Sequence, residues 1–105
     1  MSRPFSYNDE NFTVIGNILF VHFNDIRGRE AGEPIIEVPP EIFKRLYGYT
    51  NVVSSSLNSQ NSESENFPIT IVEQNGKHYI AFKNTRYSTS YTYRYHYCYY
   101  LLKDI

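Results

Sequence analysis

The chain has 105 residues, a formal net charge of −1 and one cysteine. This length suits a single domain that buries a core without disulfides, and a lone cysteine excludes an internal disulfide framework. No apolar run approaches the ~18 residues that a transmembrane helix needs, and the N-terminus lacks the apolar core of a secretory signal. We therefore expect a soluble protein made in a reducing cytoplasm.

The charge is unevenly distributed along the chain. Residues 1–75 carry five Lys/Arg and ten Asp/Glu, whereas residues 76–105 carry five Lys/Arg and one acid. Alanine occurs only twice, while Asn and Ile occur ten times each, a composition that is poor for helix bundles and suits strands. We predict a mainly β protein, all-β or α+β, built as an antiparallel β-sandwich or meander with one short helix.

Residues 1–11 are polar and predict an extended N-terminal arm. The candidate docking residues on this arm are Arg3, Phe5 and Tyr7, which would attach to a neighbouring molecule. The alternative is a frayed terminus with no partner.

Residues 12–23 form the strongest apolar run and have Gly16-Asn17 in their middle. Glycine in the first position is the signature of a two-residue type II′ hairpin turn. The competing interpretation is one continuous strand with a bulge at Gly16. Because so few apolar residues precede the glycine, we favour the continuous or bulged strand.

Residues 34–38 predict a short strand, and the two prolines that follow end it. Proline is favoured in the first turn of a helix, and an acidic residue there, Glu41, interacts well with the helix dipole. We predict a helix over residues 40–47 with Gly48 as its C-terminal cap.

Residues 54–66 contain six serines and a single apolar side chain. Such a segment cannot offset its ordering entropy by burial, so we predict a flexible polar loop within the single domain of residues 1–105. Two β-rich stretches then flank Asn75-Gly76, which supplies the positive φ of a type I′ turn. We predict a hairpin there and a meander that continues into the last strand.

The last strand is rich in tyrosine: seven of the 11 tyrosines lie between positions 87 and 100. Strand side chains alternate between two faces, so every second tyrosine points the same way. The residues that share this face are Tyr91, Tyr93, Tyr95, Tyr97 and Tyr99. At ~3.3 Å per residue, residues 89–102 would span roughly 45 Å, so the strand bends or reaches past its own core.

Three interpretations of the tyrosine face are open. Tyrosine suits strands, so the face could simply pack on the core. Alternatively the five tyrosines and Arg94 form a protein interface, since Tyr and Arg anchor such contacts. The third is stacking of unpaired bases, assisted by Arg86, Arg94 and Lys103, and we regard nucleic acid as an unlikely partner. An interface satisfies tyrosine hydroxyls more easily than a dry core does.

No catalytic or metal-binding pattern is present. The three histidines have no metal-site spacing, and no phosphate loop or hydrolase motif occurs. His96 and Cys98 share a strand face, but such neighbours are roughly 6.6 Å apart, too far for a thiol–imidazole bond. We predict that Cys98 is a small buried residue, and that the chain is not an enzyme and has no cofactor.

Three segments read RPFSYNDENFTVIGN at residues 3–17, VPPEIFKRL at 38–46 and LLKDI at 101–105, about a third of the chain. Together they resemble small virion-associated proteins of crAss-like tailed bacteriophages. The resemblance contains no catalytic motif and covers neither the serine-rich segment nor the tyrosine strand. It implies a non-catalytic structural protein of a virion fibre or appendage, built as a symmetric homo-oligomer.

The expected partners are other copies of the chain and other virion proteins, with no membrane contact, and the expected location is the virion. The alternative is a small phage-encoded protein that binds single-stranded nucleic acid or inhibits a host protein through the tyrosine-rich strand.

Overall fold

The computed structural model describes residues 5–23, 26–27, 30–49, 52–58, 64–83 and 92–103, and only the backbone at residues 26–27, 53–58, 64–65 and 92–96. Within these ranges, eight strands and one short helix follow one another. They are β1 (Phe12–Ile15), β2 (Ile18–Phe23), β3 (Ile26–Arg27), β4 (Pro34–Val38), α1 (Pro40–Phe43), β5 (Val52–Asn58), β6 (Ser64–Gln74), β7 (Lys77–Phe82) and β8 (Thr92–Leu101).

All paired strands are antiparallel and form one continuous sheet. Their order is β1-β2-β8-β5-β6-β7-β4, and β3 pairs with the start of β8. This confirms the prediction of a mainly β, antiparallel fold with one short helix. The tyrosine-rich β8 lies in the interior of the sheet, between β2 and β5.

A single hydrophobic core joins the two ends of this sheet, which we call the β1-β2-β8 half and the β6-β7-β4 half. Each half presents one face inward, as the layers of a sandwich do. In the first half the core residues are Phe12, Val14, Leu19, Val21, Phe23, Cys98 and Tyr100, with Leu102 directly after β8. In the second half they are Val38, Phe67, Ile69, Ile71, Ile80 and Phe82. Ile42 of α1 and Leu46, which follows the helix, complete the core.

The favoured continuous strand over residues 12–23 is wrong, and the hairpin is correct. Ile15 pairs with Ile18, and Gly16 has φ +62° while Asn17 has a negative φ, as a type II′ turn requires. The short β1 is stable because Phe12 and Val14 are buried in the core and β2 is held on its other side by β8.

The predicted hairpin at Asn75-Gly76 is confirmed, but the predicted meander from it into the last strand is wrong, because β7 pairs with β6 and β4 whereas β8 pairs with β2 and β5. Gln74 pairs with Lys77, and the two turn residues have φ +54° and +78°, as in a type I′ turn.

The predicted helix over residues 40–47 is shorter in the structure, ending at Phe43 with Lys44 rather than Gly48 as its cap. The next backbone bonds span three residues, from Arg45 N to Ile42 O (2.9 Å) and from Leu46 N to Phe43 O (3.1 Å). Leu46 then pairs with Leu102 in an isolated bridge. The chain leaves the helix early because it must become extended to pair there.

The predicted polar loop over residues 54–66 is wrong at both ends. Residues 54–58 belong to β5 and residues 64–66 to β6, while residues 59–63 lie outside the described residues. β5 lies between β6 and β8, so backbone pairing on both sides holds it as a strand despite its serines.

Strand β8 has 10 residues and is central to a molecule that measures 50 × 29 × 21 Å. Its register with β5 shifts between Ser55 and Leu57, which is the mark of a bulge and a bend. Residues 84–91, including the start of the predicted tyrosine strand, lie outside the described residues. Within the described ranges, no helix is long and apolar enough to span a membrane.

Candidate interaction surface

The tyrosine face of β8 points away from the core. Side chains at even positions from 98 to 102 are buried, and those at odd positions from 97 to 101 are exposed. The exposed residues are Tyr97 (61%), Tyr99 (64%) and Leu101 (53%). The alternative that this face packs on the core is therefore wrong for Tyr97 and Tyr99, the two tyrosines of the face whose side chains are described.

The other predicted interface residues are less completely described. Tyr93, Arg94 and Tyr95 lie within β8, but their side chains are outside the described set, and Tyr91 lies outside the described residues altogether. Their participation in an interface stays a prediction.

Strands β2 and β1 extend the exposed surface of β8. Phe20 of β2 lies opposite Tyr99, and Ile18 lies opposite both Leu101 of β8 and Ile15 of β1. Opposed Cβ atoms in antiparallel strands are about 4.5–5.5 Å apart, so these side chains are neighbours on one surface across three strands. We call this surface the outer face; its residues are Thr13, Ile15, Ile18, Phe20, His22, Tyr97, Tyr99 and Leu101.

The outer face is apolar or aromatic at its centre and has no formal charge. None of its eight residues is Asp, Glu, Lys or Arg. Phe20 is 45% exposed and Ile15 is 64% exposed, which is unusual for large apolar side chains on neighbouring strands. Contiguous exposed apolar patches on soluble domains mark interaction sites.

Sequence reasoning found the β8 part of this face and missed the β1 and β2 part. The signal was present in Gly16-Asn17, since a two-residue hairpin there brings Ile15 and Ile18 side by side. A single strand over residues 12–23 would keep Ile15 and Ile18 on one strand, so that prediction did not place them side by side.

A pocket of about 270 Å³ opens at the border of the outer face, between β8 and the start of β5. It exists because the two strands diverge: β5 pairs with β8 at Ser55 and Tyr97, whereas Val52 pairs with Ile69 of β6. The lining residues are Tyr47, Gly48, Tyr49, Val52, Tyr99, Tyr100 and Leu101. The volume is below the ~300–1,000 Å³ of small-molecule sites and suits one large side chain.

The opposite face of β8 is buried at Cys98 and Tyr100. Cys98 is 5% exposed, which confirms its predicted burial, and this burial raises the pKa of its thiol to about 12. The thiol is therefore protonated and unreactive at neutral pH. Burial also raises the pKa of Tyr100, and the Cys98 thiol adds to that rise, yet the Tyr100 hydroxyl meets no partner at hydrogen-bond geometry among the described residues.

The described part of the N-terminal arm packs on its own domain. Phe5 and Tyr7 are half-buried against the core, and the Arg45 guanidinium carbon lies 4.1 Å from the centroid of the Phe5 ring. This is cation–π distance. Arg3 lies outside the described residues, and docking of the arm onto a neighbouring molecule stays a prediction.

The arm also covers the free edge of β1. Val14 N donates to Tyr7 O at 2.9 Å, and Asn8 pairs with Thr13. The reversal is held by Asp9, whose Oδ1 accepts from the backbone N–H of Asn11 (2.8 Å) and of Phe12 (2.7 Å). Covering an edge strand in this way limits uncontrolled strand pairing.

The described histidine side chains do not converge. His78 stacks on Phe43 with ring centroids 3.6 Å apart, and its Nε2 is 3.4 Å from Glu73 Oε2. His22 is exposed on the outer face. Among the described residues, no group of three or more His, Cys, Asp or Glu side chains is arranged to hold a metal ion.

Comparison with known proteins leaves the outer face as the main guide to function. No family model, no curated protein and no solved structure matches the chain.

Proposed function

We propose that this chain is a non-catalytic virion structural protein that acts through protein–protein contacts made by its outer face. The observation that carries the contact role is the exposed, uncharged aromatic surface formed by Phe20, Tyr97 and Tyr99 with their apolar neighbours. The virion setting is supported by the residue resemblance to small proteins of crAss-like phages. The partners would be other copies of the chain and other virion proteins.

The composition of the outer face favours a protein partner. The cores of protein interfaces are enriched in Tyr and Phe and depleted of charged residues. Tyrosine provides a large contact area with few rotors to immobilise, and it keeps a polar tip for the wet rim. Two exposed tyrosines directly beside Phe20 make a compact anchor of this kind.

A nucleic-acid partner fits the described side chains less well. Binding of single strands combines stacked bases with Lys or Arg on the phosphates, and the cationic part supplies most of the affinity. The outer face has aromatic rings but no Lys or Arg among its eight residues. A labelled single-stranded oligonucleotide that bound tightly at low salt would contradict the preference for protein.

The proposal is tested by incorporation into particles of a virus that encodes the chain. Phe20→Glu places a carboxylate at the centre of the outer face, where burial in a contact would strip it of water. Gln74→Glu is the matched control, because it adds the same charge at an exposed position of the β6-β7-β4 half. Circular dichroism on the purified variants checks that both fold.

Quantitative mass spectrometry of purified particles then gives the copy number of the chain. We expect the unchanged chain and Gln74→Glu at the same fixed ratio to the major capsid protein, and Phe20→Glu reduced at least tenfold. Absence of the unchanged chain from particles would overturn the virion assignment. Full incorporation of Phe20→Glu would overturn the role of the outer face.

A further inference from the structure

We infer that the outer face binds the outer face of a second copy, so that two chains pack sheet on sheet about a two-fold axis. This inference rests on the proposed contact role and names the partner. In a two-fold dimer the same patch is used by both subunits, so the patch must be complementary to itself. Charge, area and shape of the outer face meet this condition.

Charge is the first requirement. Any charged residue near the two-fold axis would face its own copy, and burial of an unpaired charge is strongly unfavourable. The outer face has no charged residue among its eight members. By contrast, the corresponding outward surface of the β6-β7-β4 half carries Lys77 and Glu37, with Nζ and Oε1 3.9 Å apart.

Area is the second requirement. Six large hydrophobic side chains on and beside the outer face are between 45% and 75% exposed: Ile15, Phe20, Tyr47, Tyr97, Tyr99 and Leu101. Taking ~150–250 Å² per large side chain, they expose roughly 540–900 Å². A standard stable interface buries about 800 Å² on each partner, so the outer face together with the adjacent Tyr47 exposes an area of the size that a dimer needs.

Shape is the third requirement. The outer face lies on three adjacent antiparallel strands, and sheets of this kind pack face to face with their strands within about 30° of each other. His22 and Thr13 lie at the ends of the apolar rows, in the position of a polar rim. Tyr97 and Tyr99 can direct their hydroxyls to this rim while their rings are covered.

The decisive experiment is charge complementation, followed by sedimentation equilibrium of the purified full chain at micromolar concentration. Phe20 and Tyr99 are cross-strand neighbours at the centre of the face. Phe20→Glu alone and Tyr99→Lys alone would each place like charges across the two-fold axis. We expect each variant to be a monomer, with self-association weakened at least a hundredfold, and an equimolar mixture of the two to form a dimer.

Two control variants carry the same charges away from the face. Gln74→Glu and Gln74→Lys alter an exposed residue of the β6-β7-β4 half, and both are expected to dimerise like the unchanged chain. Both face positions are exposed, so folding should be retained, and circular dichroism verifies it.

A monomeric unchanged chain, a dimer that survives in both single variants, or a mixture that stays monomeric would each overturn the second copy as the partner of the outer face. These results are distinguishable from failure of the proposed function. If the unchanged chain is a monomer in solution while Phe20→Glu still blocks incorporation into particles, the outer face binds a different virion protein and only the dimer is wrong.

Discussion

The two halves of the sheet have similar inward faces and different outward ones. In the β6-β7-β4 half the outward residues Thr70 and Val72 are half-buried, and Glu37 of the Lys77–Glu37 pair lies opposite the half-buried Tyr79. In the β1-β2-β8 half five outward residues are large, exposed and uncharged: Ile15, Phe20, Tyr97, Tyr99 and Leu101. Tyrosine occurs on both surfaces, so the residue type alone does not mark the interaction site; exposure and the absence of charge do.

The shared core predicts that damage to either half unfolds both. Leu19 in β2 and Ile80 in β7 are 1% and 0% exposed. We expect Leu19→Ala and Ile80→Ala each to lower the free energy of unfolding by about 2–5 kcal/mol. Urea titrations followed by circular dichroism and tyrosine fluorescence should show one coincident transition for each variant.

The exposed Ile15 is the control for this comparison. Ile15→Ala removes a side chain that is 64% exposed, so the expected change at a concentration where the chain is monomeric is within about 0.5 kcal/mol. Two separate transitions in either core variant would show that the halves do not share a cooperative core.

The burial of the Cys98 thiol predicts that the protein loses stability at alkaline pH. The pKa of Cys98 is about 12 in the folded chain and about 8.5 when unfolded. The stabilisation that comes from the protonated, buried thiol is fully present below pH ~8.5. As the pH rises from there toward 12, the free energy of unfolding falls by about 1.4 kcal/mol per pH unit, because the unfolded chain releases the thiol proton first. Urea titrations between pH 7 and 10.5 should show the stability advantage of the unchanged chain over Cys98→Ala shrinking above pH ~8.5.

An advantage that stays constant up to pH 10.5 would contradict the burial of the thiol. Ionisation of the exposed tyrosines cancels in the difference, and Tyr100 stays protonated at these pH values because burial, the largest cause of its raised pKa, is present in both proteins.

Each half has one tight hairpin, and the two turns should be equally sensitive. Gly16 and Gly76 have φ of +62° and +78°, and a Cβ at either position meets no atom within 4 Å. Alanine therefore costs only backbone strain, about 1–2 kcal/mol at each site. Gly48→Ala is the matched control, since Gly48 has equal space and no positive φ, and thermal unfolding should show little change for it.

A much larger loss for Gly16→Ala than for Gly76→Ala would mean that the β1-β2 hairpin depends on its turn more than the β6-β7 hairpin does.

The two edges of the sheet are protected in different ways. β4 has Pro34 and a register shift, whereas β1 is covered by the arm through the Asp9 turn. Asp9→Ala removes two hydrogen bonds at a largely exposed site, and we expect a loss of about 0.5–1.5 kcal/mol. Hydrogen exchange should show faster exchange at the Val14 amide, with Asp9→Asn retaining most of the protection.

Unchanged exchange at Val14 in Asp9→Ala would show that the arm holds its place without this turn. The half-buried Phe5 and its contact with Arg45 would then be the anchor.

Part of the fold follows from local chemistry. Asn75-Gly76 specifies its turn because only residues that tolerate positive φ fit a type I′ hairpin, and the strands on either side need no distant information. Serine-rich β5 shows the opposite case, since its strand state depends on pairing with β6, which follows it in the chain, and with β8, which is remote in sequence. The local sequence of β5 shows its polar side chains but not the backbone hydrogen bonds to β6 and β8 that hold it as a strand.

The outer face also follows partly from local sequence and partly from the tertiary structure. The sequence alone determined that Tyr97, Tyr99 and Leu101 share one face of a strand, because strand side chains alternate with a period of two. Only the tertiary structure decided that this face is outward, because the period is the same whichever face is buried. The core selected Cys98 and Tyr100, which lie beside the buried side chains of β2, and the hairpin at Gly16 then placed Phe20 and Ile15 next to the exposed tyrosines.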